Sequence, residues 1–295
     1  MNCIRALLIF FFRIIPKSSL SRILGCVARI TLPRSIMDAF IQWYSVKYGV
    51  KEEFITPAGG FKTIDQFFTR RLKDGIHTID RTGNCAVFPV DARIDQFGDI
   101  KDTTMIQAKG VEYSLRYLVP SETYRKFLWG NFITLYLSPG DYHRIHSPVD
   151  GTVVGYFNIP GKLFTVQDWM VRGLPDLFAK NERLISYIES RAGMVAVCKV
   201  GAMNVGRITL SYCAERTNRT FRRRREFFFP PQDQVPVHAG DELGVFHLGS
   251  TIIILFQRGM ITFDGFKPGE KIRMGNRIGV LKDDKKNPPA LNKNR

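Results

Sequence analysis

The stretch FHLGST at residues 246–251 runs directly into IIILF at residues 252–256. The second run is apolar and β-branched, which predicts a buried strand. Gly249 can adopt backbone angles that other residues avoid, so a tight and strained bend is feasible immediately before Ser250. A serine at such a bend holds its hydroxyl close to the preceding carbonyl. On its own the Gly-Ser pair is typical of a turn before a core strand, so a chemical role depends on what the rest of the chain supplies.

The composition is that of a globular protein with a strong positive charge. The chain has 295 residues, 44% of them apolar, which is enough for one large domain or two small ones. Its 43 Lys and Arg outnumber 27 Asp and Glu, giving a formal net charge of +16. This excess suits a nucleic acid or an anionic membrane surface, and charge alone does not choose between them.

The five cysteines are scattered and form no C-x-x-C pair. This pattern favours reduced thiols in a cytosol-facing protein over a disulfide framework or a zinc site. They are Cys3, Cys26, Cys85, Cys198 and Cys213.

The N-terminal region is both apolar and basic. Residues 4–15 are too short for a membrane-spanning helix, because Arg5 and Arg13 interrupt them and Pro16 ends them. A secretory signal would have a similar apolar core, and ILGC at 23–26 resembles a lipoprotein cleavage site. The positive charges between the apolar run and the cysteine argue against cleavage.

Residues 1 to about 50 are predicted to form amphipathic helices, one of them over 36–48. Apolar faces flanked by Arg and Lys are typical of helices that lie in a membrane interface, which we expect here. A helical cap on a soluble core is the alternative. A shorter helix is predicted over 61–72, with Thr63 as its N-cap.

From about residue 85 the chain consists of short β-type runs separated by Gly, Pro and Asp, with one further helix expected over 174–188. The fold class is therefore predicted to be α+β, with amphipathic N-terminal helices on a mostly antiparallel β core. We expect a membrane-associating helical region at 1–60 and a β-rich catalytic domain at 61–295. Strands are predicted at 86–90, 132–137, 151–157, 194–200, 207–212 and 251–256.

An arginine-rich segment, RTNRTFRRRR, lies at 216–225. Aromatic residues do not alternate with these arginines, so stacking on the bases of a nucleic acid is not indicated. A solvated loop and a site for anionic head groups remain the two interpretations.

Three places carry side chains that could together activate a serine. Asp91 directly follows an apolar run, His143 and His146 lie three residues apart in a loop bounded by Pro and Gly, and Ser250 follows Gly249. An imidazole can take the proton of a serine while a carboxylate orients the ring. Each place alone is more often structural, because His-x-x-His pairs also occur in partial metal sites and strand-end aspartates are usually turn residues. The remaining histidines, at 77, 238 and 247, are interpreted as structural.

With these motifs in this order, the chain resembles the phosphatidylserine decarboxylase family, in its membrane-associated, pyruvoyl-dependent bacterial and mitochondrial form. The similarity covers nearly the whole chain, and LGST at 248–251 is its most specific element. The matching blocks are FKTIDQFFTRRLKDGIHTID (61–80), FPVDARI (88–94), QAKGVEYSL (107–115), YLSPGDYHRIHSPVDG (136–151), LFAKNERL (177–184), VGAMNVGRI (200–208) and FHLGSTIIILF (246–256).

The resemblance implies a proenzyme that cuts itself between Gly249 and Ser250 into a large chain of residues 1–249 and a small chain of residues 250–295. Asp91, His146 and Ser250 match the family's processing triad, in which His146 deprotonates Ser250 and Asp91 orients His146. The remainder of Ser250 becomes a covalent pyruvoyl group, the one cofactor implied, and no metal is required.

The resemblance also implies the second reaction. The amine of phosphatidylserine forms a Schiff base with the pyruvoyl group, carbon dioxide leaves, and phosphatidylethanolamine is the product. His143 matches the family position that supplies the proton to carbon. The processed chains are expected as a heterodimer, with a dimer of heterodimers as a further expectation. They are expected to associate peripherally with an anionic surface, the cytoplasmic face of the cell (inner) membrane, and to bind no nucleic acid.

Two other classes of protein fit parts of the sequence. A membrane-bound serine hydrolase could use Asp91, His146 and Ser250 on external substrates, although no G-x-S-x-G elbow surrounds the serine. A basic module that binds nucleic acid would account for the charge but not for the histidine loop or the apolar N-terminus.

Overall fold

The computed structural model describes residues 17–107, 111–203, 207–218, 223–247 and 250–282. Four predicted features lie wholly or partly outside these residues: the first apolar N-terminal run, residues 219–222 of the arginine-rich segment, Gly249 and most of the polar C-terminal tail.

The helices of the described residues are short, and most of them lie before or between the strands. They are α1 (Lys17–Val27), α2 (Arg34–Tyr48), α3 (Ile64–Phe68), α4 (Leu115–Leu118), α5 (Asp168–Gly173) and α6 (Leu177–Lys180), with 3-10 helices at Glu122–Phe127 and Pro231–Asp233.

The predicted N-terminal helices are confirmed where the structure describes them. α2 ends at Gly49, whose φ of +66° is the left-handed conformation that glycine adopts without strain. The helix predicted over 61–72 is shorter than expected, but its N-cap is confirmed: Thr63 Oγ1 accepts a hydrogen bond from the Gln66 amide at 3.0 Å. No helix among the described residues is long and apolar enough to cross a membrane.

A small apolar cluster joins α2 to the segment that follows it. Its buried members are Met37, Val50, Phe54, Phe61 and Phe67. Two of them lie beyond residue 60, so this cluster draws on both sides of the predicted domain boundary, and the boundary stays a prediction.

The strands that follow carry most of the core. They are β1 (Cys85–Val87), β2 (Ala92–Asp99), β3 (Thr104–Gln107), β4 (Val111–Ser114), β5 (Asn131–Tyr136), β6 (Arg144–His146), β7 (Gly151–Ile159), β8 (Arg183–Ser190), β9 (Gly193–Gly201), β10 (Arg207–Leu210), β11 (Arg225–Phe228), β12 (Val235–Val237), β13 (Glu242–His247), β14 (Ser250–Phe256), β15 (Ile261–Phe263), β16 (Lys271–Ile272) and β17 (Arg277–Leu281).

These strands form antiparallel sheets, which confirms the predicted fold class. A nine-stranded sheet has the order β11-β7-β8-β9-β14-β5-β2-β16, with β12 also paired to β7. Two three-stranded sheets, β1-β17-β15 and β10-β13-β6, and the hairpin β3-β4 complete the described sheets. Residues 251–256 of β14 are all buried between β5 and β9, so the apolar run that predicted a core strand lies in the middle of the largest sheet.

The helix predicted over 174–188 is wrong. α6 covers only four residues there, and β8 follows as a strand paired to β7 and β9. Its first six residues, 183–188, are all buried. A strand covered on both faces shows no alternation of apolar and polar residues, so Leu184, Ile185 and Ile188 fit helical spacing equally well.

Candidate active site

Two strand pairings place the segments that carry the predicted site residues next to each other. β5 pairs with β14 in the large sheet, where Tyr136 lies opposite Thr251. β6 pairs with β13 in a small sheet, where Arg144 lies opposite Val245. The loop between β5 and β6 therefore links the same two sheets as do β13 and β14, whose ends at His247 and Ser250 flank the predicted cleavage site. The loop carries His143, and β6 carries His146.

The backbone of Ser250 opens β14 and pairs with Gly201 of β9. The placement of its side chain and of Gly249 lies outside the described residues. A Cβ at Gly201 would meet the Leu163 side chain at 3.0 Å and the Glu182 carbonyl at 3.2 Å, which is tighter than ordinary contact. This favours close strand packing as the reason for the glycine in the block at 200–208.

His146 lies in β6 and is buried, with 8% of its surface exposed. Its Nδ1 donates to the Gly240 carbonyl at 2.7 Å, since a carbonyl only accepts. Nε2 therefore presents its lone pair, and the Tyr142 hydroxyl donates to it at 3.2 Å. The Tyr142 ring also stacks on the imidazole, with centroids 5.6 Å apart. Burial lowers the pKa of His146 below its usual value, so the ring is kept neutral and able to accept a proton.

Asp91 has a different partner from the expected one. Its Oδ1 accepts hydrogen bonds from His77 Nε2 and from the Met274 amide, both at 2.8 Å. A direct hydrogen bond to His146 is not among the contacts of the described residues. The acceptor that fixes the His146 ring through Nδ1 is instead the Gly240 carbonyl. His77, interpreted from sequence as structural, thus contacts a predicted site residue.

His143 is more deeply buried, at 1% exposure. Its Nδ1 donates to the Asp141 carbonyl at 2.7 Å, and its ring lies 4.1 Å from the Phe68 ring. Its Nε2 is buried and has no hydrogen-bond partner among the described residues. Burial, with a smaller contribution from the Arg70 charge, lowers the pKa of His143 to about 3. Burying a lone pair without a hydrogen-bond donor costs folding free energy. The unpaired Nε2 therefore indicates a position that a ligand or a proton occupies during function.

The loop between β5 and β6, which holds His143 and leads to His146, is supported by α2 and by Arg70. Tyr44 of α2 donates its hydroxyl to the Pro139 carbonyl at 2.8 Å, and Arg70 Nη2 donates to the Gly140 carbonyl at 2.7 Å. A Cβ on Gly140 would collide with the Tyr48 carbonyl, so the loop and the end of α2 are in close backbone contact.

Sequence reasoning missed two side chains of this site. Tyr142 could have been found, because it lies inside the quoted loop and four residues before His146. His77 carried no local signal, because its contact with Asp91 depends on how residues fourteen apart fold back on each other. His247 hydrogen-bonds Asp65 of α3 at 2.8 Å, consistent with the structural role expected of it. Among the described residues there is no group of three or more His, Cys, Asp or Glu that could hold a metal ion.

Residues 64–280 match the family model described as phosphatidylserine decarboxylase. Relatives named phosphatidylserine decarboxylase proenzyme include one from Myxococcus xanthus, 39% identical over 91% of this chain and 96% of the relative. Another, from Shewanella amazonensis, is 36% identical over 92% of this chain and 96% of the relative. A third, from Anaeromyxobacter sp., is 36% identical over 92% of this chain and 98% of the relative.

The residues matched by the family model include the histidine pair and β14, which begins at Ser250. The chain belongs to the phosphatidylserine decarboxylase family, which confirms the resemblance drawn from its motifs.

Proposed function

We propose that the protein decarboxylates phosphatidylserine to phosphatidylethanolamine, with a pyruvoyl group made from Ser250 by self-cleavage after Gly249. Family membership and the relatives' names as proenzymes support the reaction and the precursor form. The observation that carries the proposal is the pairing of β6 with β13 and of β5 with β14, because the buried His143 and His146 lie in β6 and in the loop before it, next to the two strands that flank the predicted cleavage site.

In the cleavage, the Ser250 hydroxyl replaces the Tyr142 hydroxyl at His146 Nε2, which takes the serine proton, and the serine oxygen attacks the Gly249 carbonyl carbon. The peptide bond breaks as an ester forms, with the proton passing to the nitrogen. Elimination then removes the Cα hydrogen of residue 250 as a proton and breaks the bond between the side-chain oxygen and carbon, which leaves a carbon–carbon double bond and releases Gly249 as a carboxylate. Water hydrolyses the resulting enamine and releases ammonia. The cut does not remove the burial of β14 between β5 and β9, so the large and small chains stay associated as a heterodimer.

The residues beside Ser250 fit a ketone and an incoming amine. His143 Nε2 and Thr251 Oγ1 are both buried and have no partner among the described residues. A pyruvoyl group supplies an electron-withdrawing carbonyl to which an amine can be joined. Groups that lack partners in the precursor can therefore bind substrate without first breaking a hydrogen bond.

His143 is assigned the proton transfers of the second reaction. Its pKa of about 3 keeps Nε2 unprotonated at neutral pH in the empty site, so it must take up a proton when the substrate binds. The negative substrate beside it stabilises the imidazolium while that proton is held. Nε2 then returns the proton to the carbon that has lost carbon dioxide.

We propose that the N-terminal helices place the protein on the cytoplasmic face of the cell (inner) membrane, as a peripheral protein. Large apolar side chains are exposed along this region: Ile23, Val27, Ile30, Ile36, Trp43 and Val46. Such side chains beside basic residues suit an anionic lipid interface, and the net charge of +16 favours the same surface.

The cleavage is tested by the size and mass of the purified protein. Wild type is expected as two fragments, 1–249 and 250–295, with a pyruvoyl mass at the start of the small one, and Ser250→Ala as one full-length band. A wild type that stays intact while decarboxylating phosphatidylserine would contradict the proposal. If the protein were a serine hydrolase, it would instead run as one full-length chain with Ser250 unchanged.

A further inference from the structure

The carboxylate of Asp91 is held rigidly and is engaged away from His146. Its Oδ1 accepts the Met274 amide and His77 Nε2, both at 2.8 Å. Because that oxygen only accepts, His77 must carry a hydrogen on Nε2 in either protonation state. The His77 side chain is 7% exposed, so little water competes for this contact.

The contacts continue from His77 to His146 through one aromatic ring. The His77 and Tyr142 rings lie 5.3 Å apart at an interplanar angle of 50°. Tyr142 is 7% exposed, stacks on His146 and donates its hydroxyl to His146 Nε2 at 3.2 Å. Burial raises the pKa of Tyr142 to about 12, so the hydroxyl keeps its hydrogen at neutral pH.

We propose that Asp91 acts on His146 through His77 and Tyr142, which makes His77 and Tyr142 positioning residues for self-cleavage. The inference rests on the proposed self-cleavage at Ser250 and concerns how its base is held. Each nitrogen of His146 has one fixed partner, the Gly240 carbonyl at Nδ1 and the Tyr142 hydroxyl at Nε2. Asp91 fixes His77, and the His77 ring limits where Tyr142 can move.

The charge state of His146 depends on the same groups. Burial lowers its pKa, the Gly240 carbonyl and Glu242 oppose this, and His77 and Arg144 reinforce it. The Tyr142 hydroxyl donates to the lone pair and so stabilises the neutral ring. Loss of either His77 or the Tyr142 hydroxyl is therefore expected to raise the pKa of His146.

A double-mutant cycle on the rate of precursor cleavage tests the route from Asp91 to His146. Full-length precursor is synthesised in a cell-free reaction, and the appearance of the two fragments is followed with time. His77→Phe keeps a ring against Tyr142 but loses the hydrogen bond to Asp91, and should slow cleavage by about 10- to 100-fold, as expected for a charge-assisted hydrogen bond. Asp91→Asn should cost a similar factor in wild type but less than about threefold in the His77→Phe background.

Two matched variants separate positioning from packing. His77→Gln keeps an N–H directed at Asp91 and should recover most of the rate lost in His77→Phe. Tyr142→Phe keeps the ring between His77 and His146 but frees the Nε2 lone pair, and should cleave at least as fast as wild type with the fold, checked by thermal unfolding, retained. The proposal is overturned if Asp91→Asn costs the same factor in both backgrounds, if His77→Phe cleaves at the wild-type rate, or if His77→Gln is no faster than His77→Phe.

A titration that needs no cleavage keeps this inference separate from the proposed function. In the Ser250→Ala precursor, the His146 imidazole is followed by nitrogen NMR as a function of pH. Adding Tyr142→Phe or His77→Phe should move its titration midpoint to higher pH. An unchanged midpoint in both variants would refute the contact chain even if the wild type cleaves, whereas an uncut wild type with shifted midpoints would refute only the proposed function.

Discussion

Replacing Lys199 with methionine should stabilise the protein at neutral and acidic pH, and by less as the pH rises. Lys199 lies in β9 with no exposed surface. Its ammonium donates to Ser186 Oγ at 2.5 Å and to the Val197 carbonyl at 3.2 Å, and it forms no ion pair among the described residues. Burial lowers the pKa of Lys199 from 10.5 to about 7.

The sign and size of the effect follow from proton linkage. The unfolded chain keeps this proton up to about pH 10.5, whereas the folded chain releases it above about pH 7. The unfolded state therefore binds more protons between these values, and stability rises with pH across that range. At about 1.36 kcal/mol for each pH unit, the charge destabilises the fold by at most about 5 kcal/mol below pH 7. This cost disappears near pH 10.5.

Methionine has a similar length and no charge to bury. Ser186 Oγ keeps its 2.6 Å hydrogen bond with the Tyr212 hydroxyl, so the substitution leaves no hydroxyl without a partner. The measurement is urea unfolding at pH 6.5 to 9.5, with both proteins in the Ser250→Ala background so that one uncut chain unfolds.

We expect Lys199→Met to add about 2–5 kcal/mol to the free energy of unfolding at pH 6.5, and to lose most of that gain by pH 9.5. Lys162→Met, at an exposed lysine, should change little at any pH. If Lys199→Met is less stable than its parent at pH 6.5, or if the difference does not vary with pH, the reasoning about a destabilising buried charge is wrong.

Two further predictions concern function. His143→Ala should still cut itself but decarboxylate phosphatidylserine about 100-fold more slowly or worse, because it removes the proposed proton carrier and not the processing base; an unchanged decarboxylation rate would remove the role given to His143. Val46→Asp, at a side chain 81% exposed on α2, should weaken binding to anionic lipid vesicles about tenfold or more, since burying a valine contributes about 1.5 kcal/mol or more. Val280→Asp, at an exposed valine of β17, is the matched control, and equal losses in both variants would argue against α2 as the docking element.

The sequence predicted those parts of the fold in which local chemistry and tertiary contacts agree. Residues 252–256 were predicted as a buried strand from their short run of β-branched and apolar residues after a Gly-Ser turn, and Thr63 could cap a helix whatever packed around it. Residues 174–188 failed because burial on both faces of β8 removes the alternation that identifies a strand. Alternation of apolar and polar residues arises only when one face of a strand is exposed to solvent. A central strand that is buried on both faces therefore shows no such alternation.

The sequence named candidate site residues but could not give the contacts that they make. The family motifs named Asp91, His143, His146 and Ser250, but motifs do not specify which side chains touch. The contact of Asp91 with His77 requires the segment after α3 to fold back beside the start of β2. No spacing rule contains that information, because it arises from tertiary packing.

The position of α2 links the two proposed properties of the protein. One face of this helix exposes Trp43 and Val46, while Tyr44 donates to the Pro139 carbonyl in the histidine loop. The loop carbonyl that fixes His143 Nδ1, that of Asp141, is two residues beyond Pro139 and also lies 3.3 Å from Arg70 Nη2. The helix proposed to lie on the lipid is thus joined through one hydrogen bond and a short loop to the imidazole proposed to protonate the product. Because the proposed docking face and the contact with the loop belong to the same fifteen-residue helix, docking through α2 would hold the loop that carries His143 close to the lipid head groups.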